Sequence, residues 1–312
     1  MTLLWFWTNR EKVTFSLNRL YSNAEISKQS MHDWLNRYFA REDEWEQIVW
    51  LIRELRVDHP GMGSRKLYYL IQPKTFGRDR FIERCNQNGF KLAIKKNAIK
   101  TTNSLGVTRF PNLIMHLKIV RVNKVWVSDI TYYRIGERFY YLTFIMDFKS
   151  KFIVGFAVSK SLTTEDTTLV ALNMALKLYP GVAGTILHSD GGGQYYCKEF
   201  VSLTKRNKMK NSMAQSNSEN NHAERINSTI KNQYLSYYMP TGFEDLINKT
   251  GRAVYNYNYS RPHESLKMAT PVDIYEFSTK NQDINKEKKK QKKKDYNNNY
   301  IYVPSKKTVK AI

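Results

Sequence analysis

Three acidic residues in the second half of the chain are candidates for metal-dependent chemistry. They are Asp129, Asp190 and Glu224, with 60 residues between the first two and 33 between the last two. Converging carboxylates repel one another and therefore favour a bound cation, and hard oxygen ligands with open positions suit Mg²⁺. Two such ions about 4 Å apart would activate an attacking oxygen and stabilise a departing one in an in-line displacement at phosphorus.

Each acid also has an ordinary structural interpretation. Asp129 could hydrogen-bond within a turn, Asp190 precedes three glycines in a pattern typical of turns, and Glu224 on a helix is by default a solvated charge. Alternation, however, places Asp129 on the same face of a predicted interior strand as Val125 and Val127. An unpaired carboxylate is costly there, so Asp129 is the most informative of the three.

The elements that must position these acids form an α/β pattern. Three β-rich runs, KVWVSDITYY, RFYYLTFIMDF and FIVGFAVSK, are followed by a helix, TTEDTTLVALNMALKLY, and a short strand, GTILHSD. Residues 149–151 are few enough for a hairpin between the second and third strands. Helices are predicted over 198–207 and 220–238. A strand that follows a helical crossover usually returns parallel, which predicts a mixed sheet covered by helices.

This arrangement is what would bring the acids together. If the first and fourth strands are neighbours, Asp129 and Asp190 lie near one rim of the sheet. The helix that follows can then place Glu224 across them.

The first hundred residues read as helical. Residues 22–38 predict a short helix, a turn near Ser27 and a second helix with Met31, Trp34, Leu35 and Tyr38 at helical spacing. A separate helix is predicted over 44–57, and further helices after the breaks at 60–63 and 73–77. The pattern is consistent with helix-turn-helix DNA binding and also with a plain helical bundle.

The charge of the chain favours a polyanionic partner. Fifty Lys and Arg residues against 28 Asp and Glu residues give a formal net charge of +22, of which +8 lies in residues 278–312. Such an excess is attracted to nucleic acid, and less strongly to membrane surfaces, rather than to a small neutral substrate. A basic but inert protein is the alternative on charge alone.

Two cysteines, Cys85 and Cys197, have no clustered partners, which predicts neither a disulfide framework nor a zinc site. Neither a signal peptide nor a membrane span is predicted, and a reducing, cytoplasmic compartment is expected.

Changes in pattern along the chain predict its division into segments. We expect an N-terminal helical region with a candidate helix-turn-helix, a second helix-turn-helix-like region, a linker, an α/β core that carries the three acids, a C-terminal helical segment and a disordered Lys-rich tail. Their predicted bounds are 1–60, 61–105, 106–122, 123–238, 239–277 and 278–312.

Four sequence blocks carry a family resemblance. They are WVSDITY (126–132), HSDGGGQY (188–195), ENNHAERIN (219–227) and YNYSRPHESL (257–266). In this order they resemble the signature blocks of insertion-sequence transposases of the IS-three type, specifically the OrfB product with its integrase core, which belongs to the Asp-Asp-Glu recombinases. The similarity runs from about Gly61 to Tyr275.

The resemblance implies an RNase H-like mixed five-stranded sheet with flanking helices, preceded by an all-α helix-turn-helix region. It makes Asp129, Asp190 and Glu224 a catalytic triad that binds Mg²⁺, with Mn²⁺ as a substitute and two ions expected. It implies hydrolysis that frees a 3′-OH at the element's end, followed by joining of that 3′-OH to DNA. The implied partners are terminal-repeat and target DNA, further copies of the chain and an OrfA protein, at the bacterial nucleoid.

Other residues carry weaker predictions. Glu219 is the alternative third acid, with a gap of 28 residues after Asp190. Lys231 falls on the Glu224 face of the helix and could contact a phosphate or remain solvated. Arg225 and Gly192 are further DNA-binding candidates, Gly192 because a glycine lets DNA approach the backbone.

Three further residues are expected to be structural. His188 could orient Asp190, and Arg261 and His263 could lie near the site, but a packing role is favoured for each.

Two other functions remain open. A related integrase or nuclease could cleave DNA without strand transfer, and a DNA-binding regulator could lack catalysis altogether. Cleavage followed by joining separates the transposase from both alternatives.

Overall fold

A computed structural model describes residues 2–14, 16–93, 109–215 and 220–280. The chain divides into two compact units, Met1–Asn97 and Ala98–Ile312. The disordered tail was predicted over 278–312, but residues 278–280 continue a helix, and residues 281–312 lie outside the described residues. The alternative acid Glu219 lies outside them as well.

The first unit is helical. Its helices are α1 (Thr2–Thr8), α2 (Leu17–Asn23), α3 (Lys28–Asp58), α4 (Ser64–Ile71) and α5 (Arg78–Gln87). The Ser27 hydroxyl accepts a hydrogen bond from the Ser30 amide and caps the start of α3. The turn predicted near Ser27 is therefore a helix N-cap between α2 and α3.

The long helix α3 corrects one sequence prediction. A second helix ending near Tyr38 and a separate helix over 44–57 were expected, but both belong to one helix of 31 residues. No Gly or Pro interrupts this stretch, so nothing ends the helix before Pro60. Trp34 is 41% exposed, whereas Met31 and Leu35 are buried.

Two small apolar clusters hold the first unit together. One contains Trp45, Ile48 and Ile52 of α3 with Leu67 of α4 and Phe81 of α5. The other joins the start of α3 to α2. Short helices are marginal alone, so these contacts supply most of their stability.

The second unit is built on a five-stranded mixed sheet. Its strands and principal helices are β1 (Val125–Ile135), β2 (Arg138–Asp147), β3 (Ile153–Ser159), α6 (Thr168–Leu178), β4 (Ile186–Ser189), α7 (Lys198–Arg206), β5 (Lys210–Met213), α8 (Asn221–Ile230), α9 (Ser236–Tyr238), α10 (Phe243–Tyr259) and α11 (271–280). A π-helical turn, Lys231–Leu235, joins α8 to α9. The predicted mixed sheet with flanking helices is confirmed.

The strand order is β3-β2-β1-β4-β5. The pairs β1/β2 and β2/β3 are antiparallel, and β1/β4 and β4/β5 are parallel. The hairpin expected at residues 149–151 therefore exists, and the first and fourth strands are neighbours. The four-residue strand β5 was not located from the sequence, because KNSM has neither alternation nor β-branched residues.

Each face of the sheet has its own core. Val125, Val127 and Phe144 pack with the α8 and α10 helices on one face, while Trp126 and Ile145 pack with α6 and α7 on the other. This is the period-2 alternation of strands buried on both faces. Residues 113–119, assigned above to a linker, contribute partly buried apolar side chains to the first of these cores.

Among the described residues, no helix combines the length and apolar character needed to cross a membrane.

Candidate active site

Asp129 lies in the middle of the central strand β1 and faces α8. Its side chain is half-buried and shares a face with Val125 and Val127. Nδ2 of Asn227 donates a 2.7 Å hydrogen bond to Oδ2 of Asp129. The strand and the helix are therefore joined at the candidate acid itself.

Asp190 is the first residue after β4. The parallel register pairs Ser128 of β1 with Ser189 of β4, so Asp129 and Asp190 are the next residues along two adjacent strands. The amide of Gly192 donates a 3.2 Å hydrogen bond to Oδ1 of Asp190. The parallel pairing thus brings two acids that are separated by 60 intervening residues to the same region of the sheet.

Glu224 lies in the first turns of α8, where its side chain is exposed. The start of this helix is fixed by Asn220, whose buried side-chain amide donates to the Ser128 carbonyl at 3.4 Å. Asn220 at the start of α8 and Asn227 two turns later thus both hydrogen-bond to β1. Glu224 lies between these two contacts.

The three acids interact electrostatically. The pKa of Asp129 is raised to about 8, first by burial and then by the negative charges of Asp190 and Glu224, while the Asn227 hydrogen bond opposes the shift. Burial also raises the pKa of Asp190, the Gly192 amide opposes this, and Glu224 reinforces it. Ionising all three acids is therefore unfavourable without a cation.

The chemistry of these ligands fits a divalent cation such as Mg²⁺. Asp129 and Asp190 are anionic oxygen donors held in a partly desolvated place, and Glu224 leaves its carboxylate accessible to solvent. Across the described part of the chain, no three His, Cys, Asp or Glu side chains already form a closed metal cage. The side chains of Asp129 and Asp190 are held by hydrogen bonds from Asn227 and from the Gly192 amide. To complete a three-carboxylate metal site, the exposed side chain of Glu224 would have to move toward them.

The three DNA-binding candidates lie in different places around these acids. Lys231 opens the π-helical turn, and its Nζ donates to Oγ1 of Thr131 at 2.7 Å and to the Tyr132 carbonyl at 3.2 Å. Burial lowers the pKa of Lys231, and the charge of Asp129 opposes this shift. Arg225 is exposed and follows Glu224 in α8. Gly192 lies in the loop after β4, two residues beyond Asp190.

Several motif residues have structural roles. The Tyr195 and Ser128 hydroxyls hydrogen-bond at 2.9 Å beneath the site. Nδ1 of His188 bonds to the Ser212 hydroxyl of β5 at 2.9 Å. Arg261 is buried and donates to Oε1 of Gln233 at 2.5 Å. These contacts agree with the packing roles favoured above for His188 and Arg261.

Two contributors to the site were missed in the sequence. Asn227 occurs three positions after Glu224, and that helical spacing was the signal that it shares the helix face near the acids. Lys151 was considered only as part of a hairpin connection. Its side chain folds back toward His222 of α8, which no local pattern indicates.

Comparison with known proteins identifies the core. Two family models, both described as integrase core domain, match residues 120–218 and 206–271. This part of the chain is therefore similar to integrase core domains. The insertion element IS600 uncharacterized 31 kDa protein of Shigella sonnei is 28% identical over 262 residues, covering 80% of this chain and 95% of that protein.

A second relative matches only in part. The InsF transposase of insertion sequence IS3A from Escherichia coli K12 is 34% identical over 92 residues, which cover 30% of this chain and 32% of InsF. The matched segment is thus about a third of that transposase. The resemblance to IS-three type transposases is confirmed by these relatives together with the integrase-core matches.

Solved structures include the catalytic core domain of HTLV-2 integrase in complex with magnesium, in its dimeric form. It is 22% identical, covers 50% of this chain and 98% of its own, and has a TM-score of 0.41. The trimeric form of the same domain gives 22% identity and a TM-score of 0.42.

Proposed function

We propose that the chain is a DNA transposase in which Asp129, Asp190 and Glu224 bind divalent metal ions and catalyse cleavage and joining of DNA. The single observation that carries the proposal is the electrostatic coupling of these three acids, which come from a strand, a strand end and a helix of an integrase core. Acids whose pKa values are raised by burial and by neighbouring charges, as for Asp129 and Asp190, are concentrated at functional sites.

The chain's own residues would hold the reacting groups. Asp129 and Asp190 supply fixed carboxylate oxygens from adjacent strands, and Glu224 supplies a third from α8. Asn227 keeps the Asp129 carboxylate in place through its 2.7 Å hydrogen bond. Bound Mg²⁺, or Mn²⁺ in its place, would activate an oxygen nucleophile and neutralise charge on the phosphate.

The proposed reaction has two steps, hydrolysis at the element's end and transfer of the new 3′ end to target DNA. Water attacks phosphorus at the element's end, one P–O bond forms, and the bond to the 3′ oxygen breaks, which leaves a 3′-OH on the element. That 3′-OH then attacks a phosphodiester of the target, and the target's own 3′ oxygen departs with a proton. One phosphodiester replaces another in the second step, so it requires no external energy source.

Basic groups around the acids would bind the DNA backbone. Arg225 beside Glu224 and Lys231 in the following π-helical turn would contact phosphates, and Gly192 would allow close backbone approach. The net charge of +22 supports a strong sequence-independent component of binding. Two element ends must be held together, so the active form would be a multimer on DNA at the nucleoid, with an OrfA protein as a further partner.

The proposal is tested with a labelled duplex that carries the terminal repeat flanking the gene, in the presence of Mg²⁺. Wild-type protein should nick the 3′ end and join it to target DNA. Asp190→Asn and Glu224→Gln should lower both reactions by at least about a thousandfold, while DNA binding survives. Glu199→Gln, which removes an exposed acid of α7, is the matched control and should keep full activity.

Two results would redirect the assignment. Cleavage without joining would favour a nuclease or an integrase relative that lacks strand transfer. Tight, end-specific binding without any cleavage by the wild type would favour a regulator. Activity that persists in both acid variants would overturn the proposal.

A further inference from the structure

The turn between β2 and β3 holds Lys151 in an unusual conformation. Its backbone has φ of +64°, in the left-handed region that non-glycine residues rarely adopt. Its Nζ donates a 2.7 Å hydrogen bond to the Phe148 carbonyl and lies 4.3 Å from the centre of the Phe148 ring. Strain of this kind costs about 1 kcal/mol or more and is retained where the surrounding structure requires it.

Two residues of α8 meet this lysine. The His222 ring packs edge-on against Phe148 at 4.4 Å between ring centroids, and its Nδ1 is 3.5 Å from Nζ of Lys151. Arg225 lies one helical turn after His222, and its charge acts on both His222 and Lys151. Lys151 and His222 therefore meet across two elements, and Arg225 adds a second cation from α8.

The histidine can donate a hydrogen bond without being charged. An ammonium group only donates, so in its contact with Lys151 the Nδ1 atom of His222 acts as the acceptor. The ring proton of the neutral imidazole is then on Nε2. Lys151, His222 and Arg225 together offer one neutral and two cationic donors.

The cluster lacks a negative counter-charge of its own. Within the described ranges no ion pair involves Lys151, His222 or Arg225. Asp147 is the acid whose charge acts on Lys151. Its carboxylate accepts hydrogen bonds from the Asn123 amide and from the amide and hydroxyl of Ser150.

These positive groups also destabilise one another. The pKa of Lys151 is lowered to about 8, first by burial and further by the charges of Arg225 and Lys149, while Asp147 opposes the shift. An anion placed among the donors would relieve this cost.

We propose that Lys151, His222 and Arg225 form a binding site for a DNA backbone phosphate next to the catalytic acids. The ligand is a phosphodiester of the strand that the acids act on, so this inference rests on the proposed function. His222 and Arg225 lie within two residues of Glu224 on α8, so the bound phosphate would belong to the same stretch of DNA as the reacting one. The site would fix the register of the strand and would carry no base specificity.

Lys149 provides a matched control because it lies in the same turn and is exposed. Affinity for a random-sequence DNA duplex is measured in EDTA over a series of KCl concentrations for wild type, Lys151→Gln, Arg225→Gln and Lys149→Gln. Lys151→Gln and Arg225→Gln should each weaken binding about tenfold and lower the slope of log K against log salt by about 0.9. Lys149→Gln should change affinity less than about twofold.

A second measurement guards against a variant that only misfolds. Single neutral methylphosphonates are placed along the element-end duplex, and Lys151→Arg is included as a conservative variant that keeps the charge. At one position the substitution should cost wild type and Lys151→Arg about tenfold in affinity and cost Lys151→Gln nothing further. This loss of additivity identifies the lysine and the phosphate as a contacting pair.

The outcomes separate the two proposals. Equal binding by Lys151→Gln and Lys149→Gln, or methylphosphonate effects that are identical in wild type and Lys151→Gln, would overturn the phosphate site even if the transposase cleaves and joins normally. Conversely, wild-type protein that binds DNA through these residues but never cleaves it would leave the phosphate site standing and overturn the proposed function.

Discussion

Nδ2 of Asn227 donates a 2.7 Å hydrogen bond to Oδ2 of Asp129, which ties helix α8 to the central strand β1. The same helix carries Glu224 one turn earlier. The position of the third acid relative to the first therefore depends on this amide. Oδ1 of Asn227 is buried and has no hydrogen-bond partner among the described residues, so the amide is oriented by the acid alone.

Asn227→Ala should impair catalysis more than stability. Loss of the hydrogen bond should lower the free energy of unfolding by only about 1 kcal/mol, because the truncation also removes a desolvated carbonyl oxygen. Strand joining should fall by at least about tenfold, since Asp129 loses its fixed orientation. Urea unfolding and the joining assay measure the two effects.

Asn232→Ala is the matched control, because the Asn232 amide bonds only to the Ser228 hydroxyl, at 3.1 Å, in the same helical segment. It should stay close to wild type in both assays. Equal losses of joining in the two Asn variants would contradict the positioning role of Asn227.

Without metal, Asp129→Asn should be more stable than wild type, and this difference in the free energy of unfolding should grow as the pH rises. The folded-state pKa of Asp129, about 8, lies above its ordinary value of 3.8. Between these two values the native state holds more protons than the unfolded state, so the contribution of Asp129 to stability falls as the pH rises. Asp129→Asn lacks this loss and should be more stable than wild type by several kcal/mol at pH 8, with the difference shrinking toward pH 4.

Urea unfolding in EDTA at several pH values checks this difference. Glu199→Gln, which removes an exposed acid of α7, is the control variant. If the stability difference between Asp129→Asn and wild type did not change with pH, burial and the neighbouring acids would not destabilise the Asp129 carboxylate.

Gly192→Ala should disturb Asp190 without unfolding the protein. The backbone of Gly192 has φ of −62°, which any residue accepts. A Cβ there would lie 3.1 Å from Oδ1 of Asp190 and from Oε1 of Gln194. Both are side-chain atoms that can move, so stability should change by less than about 1 kcal/mol while Mg²⁺-dependent cleavage falls by about tenfold.

The neighbouring variant Gly193→Ala is its control. A Cβ at Gly193 would meet only the Tyr196 ring, at 3.6 Å and beyond. Gly193→Ala should therefore cleave like wild type. If Gly192→Ala also does so, the hydrogen bond from this loop does not position the Asp190 carboxylate.

Gly155→Ala should destabilise the core strongly. Gly155 lies in β3 where α6 crosses the sheet, and an added Cβ would be 2.3 Å from the Ala171 carbonyl oxygen and 2.9 Å from the Ala175 Cβ. Backbone atoms cannot yield, so α6 must shift and the free energy of unfolding should fall by about 2–4 kcal/mol.

Gly251→Ala in helix α10 should stabilise the protein, in contrast to Gly155→Ala. Its Cβ would meet Phe156 at 3.8 Å, an ordinary contact. Replacing a helical glycine should raise stability by about 0.5–1 kcal/mol. Thermal unfolding of both variants provides the test, and similar melting temperatures would contradict the close approach of β3 and α6.

The sheet was readable from the sequence where its strands were long and apolar. The runs around Val127, Ile145 and Val154 identified β1 to β3, and the short apolar run before Asp190 identified β4. The strand β5 was not identified, because four residues carry no periodicity and it forms only through parallel pairing with β4. The helix α3 was divided in two because its local pattern changes near residue 40, although no residue there breaks a helix.

What the sequence determined by itself was the set of chemical groups: three acids in ordered motifs, an excess of positive charge, and the strand and helix that carry Asp129 and Glu224. Tertiary structure alone decided which groups meet. Parallel pairing of β1 with β4 set Asp190 beside Asp129, and helix packing brought Asn227 to Asp129 and His222 to Lys151. Local sequence encodes backbone periodicity, whereas contacts between residues 60 to 100 positions apart depend on strand register and helix packing, which no local pattern contains.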